Sequence, residues 1–178
     1  MNIFEVMEKR YSHKEGFLPN PVPLADLEKI AKAGLSAPTG VNRQIVKLII
    51  LPDRAALDPI NALAPHIGLD TAPAAIAIIT DDSFASEGRF NFEKEDYAAA
   101  ITSMSLAATA MGYSSLWLDS PYFDPAREAA TLKALGVPEG FRLWCVMPIG
   151  KPDGEGSRRE KLHFEARVSY GKYGVQKA

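Results

Sequence analysis

The chain has 178 residues, an apolar fraction of 47% and a formal net charge of −2. That length fills one core and is short for two, and the slight acidic excess gives no general basic field of the kind nucleic-acid binding needs. The single cysteine, Cys145, rules out a disulfide within one chain; in the apolar run Leu143-Trp144-Cys145-Val146-Met147 it reads as a buried, inert thiol.

The apolar spacing of Ile3, Phe4, Val6 and Met7 predicts a first helix from Ile3 to about Arg10. It runs into a donor-rich strap, Lys9-Arg10-Tyr11-Ser12-His13-Lys14, which packs three cations, a hydroxyl, a phenol and an imidazole into six residues. A guanidinium offers paired N–H donors to phosphate oxygens, an ammonium adds a point charge and Ser12 a short neutral bond, so the strap suits a phosphorylated ligand. The plainer reading is a basic helix end, favoured by the helix dipole alone. Glu5 and Glu8 near the N-terminus, with no apolar leader and no segment of membrane-spanning length, give the expectation of a cytoplasmic protein with no membrane partner.

Phe17, Pro19, Pro21 and Pro23 exclude regular helix and predict an extended crossing segment. A second helix is expected from Pro23-Leu24, with Leu24, Leu27, Ile30, Ala31 and Leu35 at helical spacing and Pro38 as its stop. Thr39 to Gln44 then form a loop in which Gly40 gives the backbone a sharp path, and Asn42 and Gln44 each carry a donor and an acceptor; an ordinary turn is the alternative. Val46–Leu51 and Ala74–Thr80 read as covered strands joined by a helix from Asp53 to about Ala64. Asp81 to Phe92, with Phe84, Gly88 and Arg89, reads as an exposed loop able to border a site.

Tyr97, Ile101, Met104, Ala108 and Met111 predict a central helix over roughly 92–111, whose other faces are small and apolar. Such a helix packs on its own sheet and, by our reading, also against another subunit; a purely intramolecular core helix is the alternative. Ser114 to Ser120 is expected as a strand, Asp124 or Pro125 as the start of a helix stopped by Gly136-Val137-Pro138, and Phe141 to Ile149 as the last core strand. There is no regular βαβ repeat and no Rossmann or Walker signature. The polar tail from Gly150 to Ala178 carries a second basic cluster, Ser157-Arg158-Arg159-Glu160-Lys161, and reads either as solvated chain or as an extension across a partner, its cations reaching the same phosphate as Arg10.

Two stretches, Arg10-Tyr11-Ser12-His13-Lys14 and Ala37-Pro38-Thr39-Gly40-Val41-Asn42-Arg43-Gln44, together resemble the nitroreductase family of FMN flavoproteins. Further landmarks follow in the family's order: the small-residue helix ending at Met111-Gly112-Tyr113, the Trp117 stretch, and Leu135-Gly136-Val137-Pro138 through Ile149-Gly150-Lys151-Pro152. The resemblance implies an α+β fold, a central mixed, mainly antiparallel sheet flanked by helices, in an intertwined homodimer. A single FMN-binding domain would cover 1–178, with 151–178 crossing to the partner. Arg10 with Arg159 or Lys161 would hold the phosphate, Ser12 the ribityl-phosphate end, and Lys14 the pyrimidine side of the ring, beside Tyr11. Pro38, Thr39, Gly40, Asn42 and Gln44 would approach from the other subunit, and the backbone of Leu118, Asp119 and Ser120 would lie near flavin N5.

The activity so implied is hydride transfer from NADH or NADPH to flavin N5 and then to a small electron-poor acceptor such as a nitroaromatic or quinone; the cofactor carries the chemistry, so no catalytic residue and no metal is called for. An FMN storage or delivery protein is the competing reading. A zinc hydrolase has little support, because His13, His66 and His163 lack close ligand spacing. Two departures from the family pattern stand out. Ile45-Val46 replaces the usual Pro-Trp, and Arg158-Arg159-Glu160-Lys161-Leu162 allows two registers for the phosphate-binding cations. The length implies a reduced cover over the ring. Arg43, Arg89 or neither would read a nicotinamide 2′-phosphate.

Overall fold

A computed structural model describes residues 1–81 and 91–177, so most of the segment expected to border the site, Arg89 included, lies outside the described residues. Helix α1 spans Ile3–Lys9 and opens on a reciprocal cap: Asn2 Oδ1 accepts from the Phe4 and Glu5 N–H groups, and Glu5 returns a carboxylate to the Asn2 N–H. Helix α2, Leu24–Leu35, places Leu27, Ile30 and Ala31 on its buried face. It ends at Ser36, two residues before the expected proline stop, where the Ser36 hydroxyl and N–H both bond the Lys32 carbonyl. Strand β1 is Val46–Leu51, α3 Arg54–Leu63, α4 Ile67–Thr71 and β2 Ala74–Asp81. Then come α5 Glu93–Ala110, β3 Ser114–Ser115, α6 Pro125–Ala134 and β4 Phe141–Gly150.

Among the described residues, four strands form one sheet in the order β1-β2-β4-β3, every neighbouring pair antiparallel, and a parallel bridge between Ser12 and Ser115 ties the strap to the sheet edge. The period of two on β2 sorts the core. Ala74, Ile76 and Ile78 face α2 and α5 with Cys145, Met147 and Ile149, while Ala75, Ala77 and Ile79 face Leu57, Ile60, Leu69, Leu116 and Leu118. β2 is buried along almost its whole length, as a strand covered on both sides must be, and Cys145 lies fully buried with its thiol pushed well up by desolvation.

Between the pairs Ile78–Cys145 and Ile79–Leu143 the register slips, leaving Trp144 as the extra residue of a β-bulge. Its indole stacks on Tyr97 of α5 at 4.7 Å with only 9° between the planes, and its N–H donates to the Thr80 hydroxyl, which donates in turn to buried Glu93.

The expected strand from Ser114 to Ser120 is shorter than predicted. Only Ser114–Ser115 pair continuously; Leu118 makes one further bridge to Val146, and Ser120–Phe123 turn into a 3-10 helix with Pro121 in its first turn. The short helix α4 was not apparent in the sequence because five residues carry too little periodicity; His66 Nδ1 accepts from Gly68 N–H at its start. The crossing segment is extended, and Phe17 bridges to Pro152.

Where β4 ends, Gly150 fits against rigid neighbours: a Cβ there would sit 2.8 Å from Pro73 Cδ and 2.9 Å from Phe17 Cδ1. Neither ring can swing aside, so Gly150→Ala is expected to lower stability by about 1–3 kcal/mol, the usual range for overpacking. A shift of the urea midpoint with unchanged slope would record it.

Candidate functional site

Arg10 is the C-cap of α1, and its backbone leaves the helix in extended geometry, which turns the strap across the sheet edge. His13 pins that path. It is fully buried, and because the Gly16 carbonyl 2.7 Å from Nε2 can only accept, Nε2 carries a proton, while Nδ1 faces the Tyr11 hydroxyl at 3.3 Å and the Glu15 carboxylate at 3.4 Å. Tyr11 is also reached by the Ser114 hydroxyl at 3.4 Å. With its middle anchored, the strap presents Arg10, Tyr11, Ser12 and Lys14 to one concave surface.

The opposite wall comes from the tail. Ser157, Arg158, Arg159 and Lys161 complete a cavity of about 440 Å³ with Arg10, Tyr11, Ser12, Lys14 and Glu15. Among the described residues, the side chains of Arg10, Lys14, Arg159 and Lys161 form no ion pair. Four cations without ion pairs and a hydroxyl thus converge, and although Glu8 and Glu15 share the lining the cations outnumber them, which suits a phosphate dianion. Arg10 and Ser12 also line a smaller inner recess of about 30 Å³ with Ile101, Ser105, Ser115, Trp117 and Met147, so these two residues are shared between the cationic cavity and a recess of mixed hydroxyl, apolar and indole surface. Ser105, Ser115 and Met147 carry no signal at the level of sequence; they are small or apolar residues placed by α5, the edge strand β3 and the inner strand β4.

The second predicted group lies elsewhere on the chain. Thr39 and Gln44 line a separate apolar groove of about 500 Å³ between α2, β1 and α5, with Lys47 and Asp96. The loop holding them is strained: Val41, Asn42 and Gln44 have φ of 46°, 57° and 55°. A left-handed β-branched residue costs on the order of 1–3 kcal/mol and persists only where its surroundings enforce it, commonly at binding loops. Here Asp96 enforces it, Oδ1 accepting the Gly40 N–H at 2.8 Å, with Gln44 N–H donating to the Thr39 hydroxyl. Gly40 itself is required for a different reason than the sharp path expected of it: a Cβ would lie 2.2 Å from the Phe92 ring.

Pro38 and Asn42 are exposed on the same loop. Leu118 is buried in the core and its carbonyl accepts from Val146, so it can border a ligand only through its backbone; Asp119 is half-buried and Ser120 exposed. Arg43, half-buried beside the loop, has interactions of its own within the chain. His66 and His163 lie apart from buried His13, one capping α4 and the other preceding a 3-10 turn in the tail.

Burial pushes the Asp96 carboxyl up; the Gly40 N–H works against this, the Glu95 charge adds to it and Arg43 opposes it, while Oδ2 is buried with no partner. A raised folded-state value means that stability is fully present below the unfolded value and is lost as pH rises through the folded one. Asp96→Asn keeps the Gly40 bond and removes the charge, so it is expected to unfold at higher urea than wild type at about pH 7, with the difference vanishing below about pH 4.

Among the described residues no helix is long and apolar enough to cross a membrane. A sequence profile of the Nitroreductase family matches residues 7–68 and 61–151. A protein of Archaeoglobus fulgidus with the provisional name NADH dehydrogenase/NAD(P)H nitroreductase is 33% identical over 142 residues, covering 79% of this chain and 78% of its own. Among solved structures, a similarly named protein of Bacteroides thetaiotaomicron superposes with a TM-score of 0.82 at 27% identity, over 96% of this chain and 98% of that one. A Bacteroides fragilis nitroreductase with bound FMN shares the fold with a TM-score of 0.77 at 22% identity, over 97% and 100% of the two chains.

Proposed function

The chain belongs to the nitroreductase family, and from that membership we propose that it is an FMN-dependent oxidoreductase whose cofactor phosphate lies in the cavity between strap and tail. The observation that carries this reading is the convergence of Arg10, Lys14, Arg159 and Lys161, from opposite ends of the chain, on one cavity whose Arg10 and Ser12 also line a recess walled by Ile101, Trp117 and Met147. A nucleotide-like flavin needs that combination: cations for the phosphate, a hydroxyl such as Ser12 for the polyol, and apolar and aromatic surface for the ring. When bound, FMN supplies two-electron transfer between a nicotinamide donor and an electron-poor acceptor.

The chain's own task is to bind and orient. Arg10, Arg159 and Lys161 neutralise the phosphate; Lys14 holds a positive charge where the pyrimidine edge would lie; Trp117 and Met147 wall the inner side. No side chain is required to move a proton in covalent catalysis, which agrees with a site built from cations and small residues. NADH or NADPH is the donor, and nitroaromatics or quinones represent the acceptor class.

A homodimer completes the site in this reading. The face of α5 turned away from the core carries Ala98, Ala99, Thr102, Leu106 and Ala110, half-buried or exposed, a low surface of small and apolar residues suited to a second copy. The tail exposes Leu162, Phe164 and Tyr173, apolar surface suited to burial across that partner. The strained 39–44 loop would then face the partner's cavity.

Anaerobic addition of NADH or NADPH to the flavin-loaded protein tests turnover. Rapid bleaching at 450 nm, roughly the flavin band, followed by reoxidation with a quinone supports the oxidoreductase. Bound flavin that stays yellow with both nicotinamides would instead favour storage or delivery.

A further inference from the structure

The phosphate end contains a fifth cation that faces away from it. Arg158 lines the same cavity as Arg159 and Lys161, yet its guanidinium donates to the carbonyls of Glu8 at 2.7 Å and Lys9 at 2.5 Å and lies 5.5 Å from the centre of the Tyr11 ring. Those carbonyls belong to the last turn of α1, where the backbone has no intrahelical donors left to satisfy them. Their lone pairs would otherwise stand beside the anion that Arg10, the next residue, is placed to bind.

We propose that Arg158 is a positioning residue for the phosphate end of the site, a two-pronged latch that caps α1 and thereby fixes the tail so that Arg159 and Lys161 enter the cavity. Two consequences follow from one contact. The carbonyl oxygens of Glu8 and Lys9 are covered by positive charge, which removes their repulsion toward an anion. The tail is also registered, and the register ambiguity of Arg158-Arg159-Glu160-Lys161 is resolved with Arg158 facing the helix and its neighbours facing the ligand. Gly156 supports the same register: a Cβ there would come within 2.0 Å of the Tyr11 ring, so the tail lies flush on the strap only with glycine at this position. A guanidinium suits the task, because its planar fork reaches two adjacent carbonyls at once while an ammonium reaches one at a time.

The inference rests on the FMN reading above, and the test separates the two. Affinities for FMN and riboflavin are measured by flavin-fluorescence titration on wild type, Arg158→Ala and Arg158→Lys. A wild type that binds both flavins equally would remove the phosphate site itself. Given a wild type that prefers FMN, the latch predicts that Arg158→Ala weakens FMN by about tenfold, a loss of ~1.4 kcal/mol, while riboflavin changes less than about twofold. Unchanged riboflavin affinity doubles as the proof that the variant is folded. Arg158→Lys restores little of the loss. A wild-type FMN-to-riboflavin ratio in Arg158→Ala would overturn the latch, and so would full recovery in Arg158→Lys, which would make Arg158 a direct phosphate ligand.

Discussion

Replacing Arg10 by alanine is expected to weaken FMN binding by roughly tenfold to a hundredfold, the range set by loss of a charge-assisted hydrogen bond worth about 1.5–3 kcal/mol. Arg10 is half-buried at the junction of the outer cavity and the inner recess, the only strap cation that lines both. Its backbone ends α1 by donating to the Val6 carbonyl, an interaction alanine retains, and its side chain forms no ion pair among the described residues. The variant therefore loses ligand affinity with little loss of fold, within about 0.5 kcal/mol of wild type in the absence of flavin. Fluorescence titration and thermal unfolding of the flavin-free protein measure the two effects separately. A large drop in unfolding temperature would show that Arg10 is a structural residue first.

The second large effect falls on Tyr97, the aromatic that joins the recess to the core. Its ring is stacked on Trp144 and meets Trp117 edge-on at 5.7 Å, and burial raises its phenol above the ordinary value, with the Asp119 charge adding to the shift. Tyr97→Ala removes a buried ring between two indoles and is expected to cost about 3–5 kcal/mol. Trp117 then loses the surface that orients it over the recess, so flavin affinity falls as well. Tyr97→Phe keeps both ring contacts and is expected to stay within about 1 kcal/mol of wild type. Urea unfolding of the two variants decides the matter: equal losses would place the effect in the hydroxyl and not in the aromatic stack.

The long elements were legible because their signals are local and repeated. Leu27, Ile30 and Ala31 on one helix, and the unbroken apolar run of β2, leave few alternatives to a sheet covered by helices, whereas its antiparallel order followed only from the family resemblance. What escaped detection depends on contacts distant in sequence. The bulge at Trp144 is created by pairing with β2, and the Trp117 stretch pairs with β4 only at Ser114–Ser115 and again at Leu118 before the 3-10 turn at Ser120–Phe123. The strap's cations could be read as a candidate phosphate site, but nothing in the local sequence shows that His13 is the buried peg that aims them. Likewise Arg158, Arg159 and Lys161 are equivalent as a basic cluster; all three line the cavity, and only the packing of the tail on α1 shows that the Arg158 guanidinium is bonded to the helix end.

The 39–44 loop illustrates both sides. Its Pro-Thr-Gly and Asn composition is that of any turn, yet its left-handed Val41 and its tether to buried Asp96 mark it as a segment held in place at an energetic cost. Asp96, on another element and more than fifty residues away, gives no sign of that role in the sequence.

The most direct test of the strap–tail cavity as an FMN site is the visible spectrum of the purified protein, read together with chromatography of the flavin released by heat. A flavin spectrum, FMN as the released species, and weaker colour in Arg10→Ala purified in parallel are the expected results. A colourless protein that takes up no added FMN would contradict the FMN site, and the convergence of cations would then be no more than a solvated helix end facing a basic tail.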